Sequence, residues 1–485
     1  MKKVNIQKIF LHLLPIVLVA HSLYASTRIT RYTGGTYDVN LKLDANLFNE
    51  TPLNHSNYDG WYWDETASAQ AVWGNSANLV MIEGPSFTIE WAPPIAFSLN
   101  SFYDLGESVR NNVNILTDSN GGRPDYLEYP NVNSGMNING YLTNFSFAMP
   151  FYSSVIGLGY KQIYNLELDI FSDGHEASIL IEPESGAGPV IFNNFFKLNF
   201  NSVFSAQQLK LSYARKFNKK FESGISFNYY FLNALAQGVL DVQGGILYNG
   251  KEYFFNDPAT PWRTNLNQSL DLDYKGSGLG IKCGFIYKPS ESLYLDFDFE
   301  YIPVISIQGE LEFQQNSLPF LNTSALFEDP ELALIRTDKL DYEHLSRTYI
   351  FENQLDKTIQ IRMPSYLSVG MMSNKAHWKI YSRFRLYFRE LSFHYLNTKS
   401  GLKPYFGLDF GIKNKWFQMN SGLIFAKEIR IGMDKWINTT RPLMTVPIPN
   451  LSFASGYQFQ MQQRVDAELS ILPIPGLKLS YKLSL

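Results

Sequence analysis

Three carboxylates and three arginines stand at alternate positions of apolar segments. Asp296, Asp298 and Glu300 occur in "LYLDFDFEY", where Leu295, Phe297, Phe299 and Tyr301 fill the positions between and beside them. Arg383 and Arg385 alternate in the same way in "YSRFRLYF", and Arg362 follows Ile361 in "TIQIRM". Successive side chains of a strand point to opposite faces, so each segment has a greasy side and a charged side. A guanidinium pairs bidentately with a carboxylate, so the arginines could bind the anionic head group of a ligand. Equally, they could pair with the facing carboxylates and hold an interior together, because buried charges need partners. A third reading places acidic and basic walls across a water channel, where they set ion selectivity.

Other reactive residues are sparse. Ser392 and His394 in "LSFHYL" share one strand face, but no third member or oxyanion donor accompanies them, and catalysis is not expected. The seven histidines are scattered, His344 among them in a polar stretch, and none has metal-ligand spacing. Carboxylates at 296, 298 and 300 lack the glycine-turned loop that wraps calcium. The only cysteine, Cys283, sits among alternating apolar residues as a small hydrophobe and excludes an intramolecular disulfide. No metal or cofactor is expected. The net charge of −4 gives no reason for a nucleic-acid partner.

Paired segments of the same rhythm position these residues. Leu209, Leu211 and Tyr213 lead through "FNKKF" to Ile225, Phe227, Tyr229 and Phe231; Leu279 to Tyr287 lead through "KPSES" to Leu293 to Tyr301. Further pairs surround "SNKAH", "KNK" and "QQR". These are hairpins with short polar turns. Between hairpins, 233–268, 314–358, 389–404 and 426–450 are long and read as loops. Short turns at one end and long loops at the other mark an outer-membrane barrel rather than a soluble sandwich. Counting back from "GLKLSYKLSL" at the C-terminus predicts 14 strands, or 16 if 190–204 and 37–47 add two. Trp378 and Trp416 follow short turns and Tyr287 and Tyr301 flank strand ends, as an interfacial girdle requires. The aromatic share of 15%, with 30 Tyr and 36 Phe, fits the same fold.

The N-terminus has the pattern of a cleavable export signal: Lys2, Lys3 and Lys8, then an apolar Ile9 to Ala20, with cleavage expected after Ala25. No later run is apolar and long enough for a spanning helix. A closed barrel needs only alternate apolar residues to cross a membrane.

The units "LKLSYARKFNKKFESGISFNYYF", "GSGLGIKCGFIYKPSESLYLDFDFEYIP" and "MPSYLSVGMMSNKAHWKIYSRF" resemble the strand–turn–strand units of the outer-membrane hydrophobic-compound transporters, whose best-known members import long-chain fatty acids. "WGNSANL" is similar to that family's Asn-Pro-Ala plug motif: Asn75 and Ala77 match, and Ser76 replaces the proline, which removes a fixed φ and restores a backbone donor. The resemblance implies a 14-stranded barrel over 86–485, a plug within 26–85, and a hydrophobic ligand bound inside and released sideways through the wall. Expected partners are therefore a hydrophobic small molecule or lipid, outer-membrane lipids and the outer-membrane assembly machinery. The last strand resembles the strand which that machinery recognises, although it ends in Leu485 rather than an aromatic residue. Two other functions remain open at this stage: a general diffusion channel, and an adhesive surface protein acting through its long loops.

Overall fold

The computed structural model describes residues 25–43, 68–98, 104–119, 122–138, 141–183, 188–248, 250–254, 266–315, 358–375, 377–395, 398–414, 416–431, 434–438, 446–460, 463–472 and 476–485. The export signal, His344 and most of 314–358 lie outside them. From the N-terminus, β1 (Ala25–Thr33) and β2 (Thr36–Leu43) precede two 3-10 turns, Ala69–Val72 and Ser76–Met81. Then come β3 (Ser86–Ala92), β4 (Ile95–Ser98), helix α1 (Leu105–Ser119), β5 (Tyr126–Glu128) and β6 (Asn131–Ile138). β7 (Tyr141–Phe151), β8 (Ser154–Pro183), β9 (Val190–Lys216), β10 (Phe221–Tyr248), β11 (Lys251–Phe254) and β12 (Leu266–Ser290) follow. The next group is β13 (Leu293–Tyr301), β14 (Ile305–Gln315), β15 (Thr358–Arg362), β16 (Tyr366–Lys375), β17 (Trp378–Tyr387) and β18 (Leu391–Tyr395). The chain ends with β19 (Thr398–Lys413), β20 (Phe417–Ile431), β21 (Asp434–Asn438), β22 (Val446–Gln460), β23 (Gln463–Leu472) and β24 (Gly476–Ser484).

Fourteen antiparallel strands close a ring. Its order is β3, β7, β8, β9, β10, β12, β13, β16, β17, β19, β20, β22, β23 and β24. β24 returns to β3 with Tyr481 opposite Ile89, so no strand edge is left in the ring. Side-chain alternation decides the two faces. Leu211, Tyr213, Phe227, Tyr229, Phe285, Phe297, Phe299, Leu367, Val369, Phe384 and Leu386 are exposed on the outside, whereas Lys210, Ser212, Ser226, Asn228, Lys282, Asp296, Asp298, Arg383 and Arg385 are buried inside. A water-exposed exterior of that apolarity would be a broad aggregation surface, and lipid is the medium that suits it. Trp378, Trp416, Tyr287 and Tyr301 are exposed near strand ends, and Cys283 lies on the outer face of β12.

Two readings of the sequence need correction. Segment 190–204 is the upper part of β9 rather than a separate strand, and β2 pairs outside the ring, so the 16-strand alternative falls away. Much of the chain that reads as loop is strand. Residues 233–248 continue β10, and 389–404 contain β18 and the start of β19. Above the membrane the outer face meets water, so hydrophobic alternation fades there while the backbone ladder continues.

The N-terminal strands build on this extension. β1 runs antiparallel to the top of β8 and parallel to β5; β2 runs antiparallel to Leu166–Ser172 of β8 and parallel to β6. Lys42 ties β2 to β8 through Glu167 (2.7 Å) and Asp169 (2.6 Å). Gly174, at φ +117°, makes the bulge between Ser172 and His175, a conformation that favours glycine. His175 then packs between Tyr32, Tyr37 and the stacked ring of Phe196. A spanning strand needs about 9–11 residues, so this histidine, far above the turn at the base of β8, lies beyond the membrane-spanning part. Burial pushes its imidazole down to about 4.

Candidate functional site

The lower interior is filled by residues 68–82. Asn75 caps the second 3-10 turn, its Oδ1 accepting from the Ala77 amide at 3.0 Å. Its Nδ2 donates to Asp296 Oδ2 (3.2 Å) and to the Phe297 carbonyl (3.1 Å), which fastens the turn to β13. Ser76 Oγ lies 2.5 Å from Ser226 Oγ on β10, and Ser226 in turn meets Ser212 of β9 at 2.8 Å. Trp73 Nε1 donates to Asn144 at 2.6 Å, and Gln70 to Glu90 at 2.8 Å. The wall is shaped to receive this segment. A Cβ at Gly284 would meet Asn75 Oδ1 at 1.7 Å, and one at Gly224 would meet the Ser76 carbonyl carbon at 2.4 Å. Asn75, Ser76 and Ala77 are all completely buried. The other strands of 26–85 that are described, β1 and β2, lie in the sheet that extends β8 beyond the ring.

Charged residues surround this floor. Asp296 accepts from Arg383 at 2.8 Å, and Arg385 lies 2.7 Å from Asp409 of β19. Lys282 of β12 reaches Asp298 (2.9 Å) and Glu300 (3.6 Å), and it donates to the Tyr366 hydroxyl at 2.9 Å. Glu300 also accepts from Asn228 (3.1 Å) and Tyr230 (3.3 Å). The structure thus brings together five of the six charged residues expected to face inward: Asp296, Asp298, Glu300, Arg383 and Arg385. Arg362 does not join them. Strand parity reverses at Met363–Ser365, so Arg362 leaves the inner face, keeps 37% of its side chain exposed and meets Glu390 at 3.2 Å. Ser392 donates to the same Glu390 oxygen at 3.2 Å, and the side chain of His394 lies outside the described part. Lys210 on β9 is different. It is 2% exposed, and among the described residues it makes no hydrogen bond or ion pair, although Lys282 nearby is saturated.

Above the charged belt the interior turns apolar. Ile163, Ala206, Tyr230, Leu232, Tyr274, Ile302, Ile305, Ile307, Ile359, Ile361 and Met363 form one buried cluster, with Phe204, Ala234 and Leu272 packed against it. It spans β8, β9, β10, β12, β13–β14 and β15, about half the ring. Reading alternation from the lower strands assigns Ile305, Ile307, Ile359 and Ile361 to the lipid face. The parity reversals bring them inside instead, and Pro303 and Pro364 beside those reversals were the available signal.

The wall beside this layer is incomplete. On the β7 side, β8 pairs with β7 up to Lys161 and with β2 from Leu166. Among the described residues, 162–165 have no strand partner on that side, and the bulge there turns Ile163 inward. Among the described residues the interior therefore has a polar floor, an apolar layer above it, and, at the level of that layer, a stretch of β8 at 162–165 without a strand partner on the β7 side.

No protein-family model matches the chain, and no curated protein does. Several solved structures are similar to it. One is a FadL homologue from Pseudomonas aeruginosa, 12% identical, covering 91% of this chain and 98% of that one, with a TM-score of 0.43. The toluene transporter TbuX of Ralstonia pickettii is 10% identical, over 90% and 97% of the two chains, at 0.42. The toluene transporter TodX of P. putida is 11% identical, over 86% and 94%, at 0.41. The barrel described above rests on its own strand pairings, independently of these likenesses.

Proposed function

We propose that this barrel sits in an outer membrane and passes small hydrophobic molecules through its apolar layer and out sideways at 162–165 of β8, with residues 68–82 as the plug. The observation that carries this reading is the cluster from Ile163 to Met363, a packed apolar layer inside a barrel whose floor is polar. A water-filled channel has no use for such a layer, since apolar lining dewets and resists ions. Arg383 and Arg385 serve the floor rather than the ligand, because Asp296 and Asp409 already neutralise them. Where the ligand carries an acidic head, Lys210 supplies the counter-charge, two and four residues below Gln208 and Ala206 on the same inner face.

The test is uptake of a neutral hydrophobic probe by cells carrying the full chain, with Ile305→Asn and Ile361→Asn together as the disabling variant. Uptake should fall to the level of cells without the protein. Steady ionic current through the unaltered protein in a planar bilayer would instead favour a general diffusion channel. Surface binding lost on deletion of 316–357, with uptake unchanged, would favour an adhesive role.

A further inference from the structure

The wall is interrupted a second time, four to five strands round the ring from β8. Three neighbouring strands break at one height: 302–304 between β13 and β14, 363–365 between β15 and β16, and 388–390 between β17 and β18. Each break reverses the inward parity. Glu300 and Ile302 face in below and Ile305 and Ile307 above; Tyr366 and Ser368 below and Ile361 and Met363 above; Arg385 and Tyr387 below and Ser392 above. Because the neighbours reverse together, the ladder resumes on the extracellular side with Ile305 opposite Ile361 and Ile361 opposite Phe393.

Between the two ladders, side chains replace the backbone pairing. Ser365 Oγ accepts from the Ile302 amide (3.0 Å) and donates back to the Ile302 carbonyl (3.3 Å). The Arg389 guanidinium also donates to the Ile302 carbonyl, reaches the Tyr301 hydroxyl at 3.3 Å and covers that ring at 4.8 Å. Pro303 and Pro364 have no amide to offer. Between the ladder that ends at Glu300 opposite Tyr366 and the one that resumes at Ile305 opposite Ile361, one hydroxyl and one guanidinium thus join the two strands. Inside this seam lie Ile302, Ile305, Ile361 and Met363 of the apolar layer; outside it, Tyr301, Val304 and Phe388 are exposed on the lipid-facing surface.

We propose that the seam between β13–β14 and β15–β16 is a second lateral passage for uncharged hydrophobic molecules, closed by the clasp of Ser365 and Arg389 on Ile302. The inference rests on the apolar layer being the ligand's path. That layer has two ends: Ile163 at the unpaired edge of β8, and Ile302 with Met363 at the seam. The clasp differs from a strand ladder in one respect. Its rotatable side chains let go without any paired strand having to peel away, which is what a gate requires.

The experiment uses N-phenyl-1-naphthylamine uptake by cells carrying the full chain with Cys283→Ser. Ile302→Cys and Ser365→Cys are added together, and uptake is read under oxidising conditions and after dithiothreitol. Uptake should be roughly fivefold slower in the oxidised form, with the reduced form at least as fast as the parent, as for a gate locked and released. A second variant, Ser365→Ala with Arg389→Gln, needs no cross-link. It should take up the probe roughly threefold faster than the parent while keeping the heat-modifiable mobility of a folded barrel. Equal oxidised and reduced rates, or a clasp-free variant no faster than the parent, overturn the second passage and leave the first standing. A parent chain that takes up no probe overturns the transport reading, and the seam with it.

Discussion

The floor of the barrel and the layer above it face the same interior, yet they are built on opposite principles. In the floor, charges neutralise one another at short range: Lys282 with Asp298 and Glu300, Arg383 with Asp296, Arg385 with Asp409. In the layer, aliphatic side chains meet with little to pair. Paired buried charges tolerate no partial removal, because what remains is an uncompensated ion. Aliphatic packing tolerates trimming in proportion to the volume lost. The floor is therefore specified by identity, and the layer by size and apolarity. That difference suits a fixed base beneath the proposed path of apolar molecules.

The sharpest way to break this comparison is Lys282→Met, which strands Asp298 and Glu300. The barrel should lose about 3–5 kcal/mol, seen as earlier loss of heat-modifiable mobility or a lower urea midpoint. A variant as stable as the parent would show that the floor is no more exacting than the layer.

Next in size is the effect of acid on His175, which is buried but, unlike the floor, has no charged partner. Its folded value of about 4 lies below the ordinary 6.5, so the folded state binds fewer protons than the unfolded one between those values. The docking of β1 and β2 on β8 should be fully stable above about pH 6.5 and weaken by about 3 kcal/mol as pH falls to 4. Protease sensitivity of 25–43 at pH 7 and pH 4.5 reads this directly, and His175→Phe should flatten the dependence.

Within the layer, Ile361→Val should cost only about 1 kcal/mol, roughly a fifteenth to a fifth of what most domains have in hand. Its effect on probe uptake should be slight as well. Smallest of all, Arg28→Ala removes an ion pair with Asp125 in which both side chains are largely exposed, and stability should change by less than about 0.5 kcal/mol.

The ring itself was readable from alternation, and each of the fourteen ring strands overlaps a segment picked out by period-two patterning between short turns. Asp296, Asp298, Glu300, Arg383 and Arg385 were readable for the same reason, since each lies below the breaks, where parity holds. Arg362 and the isoleucines of the layer were not, because a reversal of one residue at 363–365 or 302–304 exchanges the faces of everything beyond it. β1 escaped altogether, and 37–47, read as a possible ring strand, proves to be β2 outside the ring, because parallel pairing with β5 and β6 joins segments about a hundred residues apart. Nothing local announces that. Lys210 could be placed by alternation on β9, but only the three-dimensional arrangement shows that the carboxylates nearby are already taken.

The described segment 68–82 lies in the chain between two strands that are fixed in the sheet. Before it, β2 is sewn between β8 and β6; after it, β3 is sewn between β24 and β7. A free N-terminal peptide can be drawn out of a barrel like a cork. A segment flanked by strands stitched into the sheet cannot be drawn out that way, so in the proposed transport the cargo shares the bore with residues 68–82.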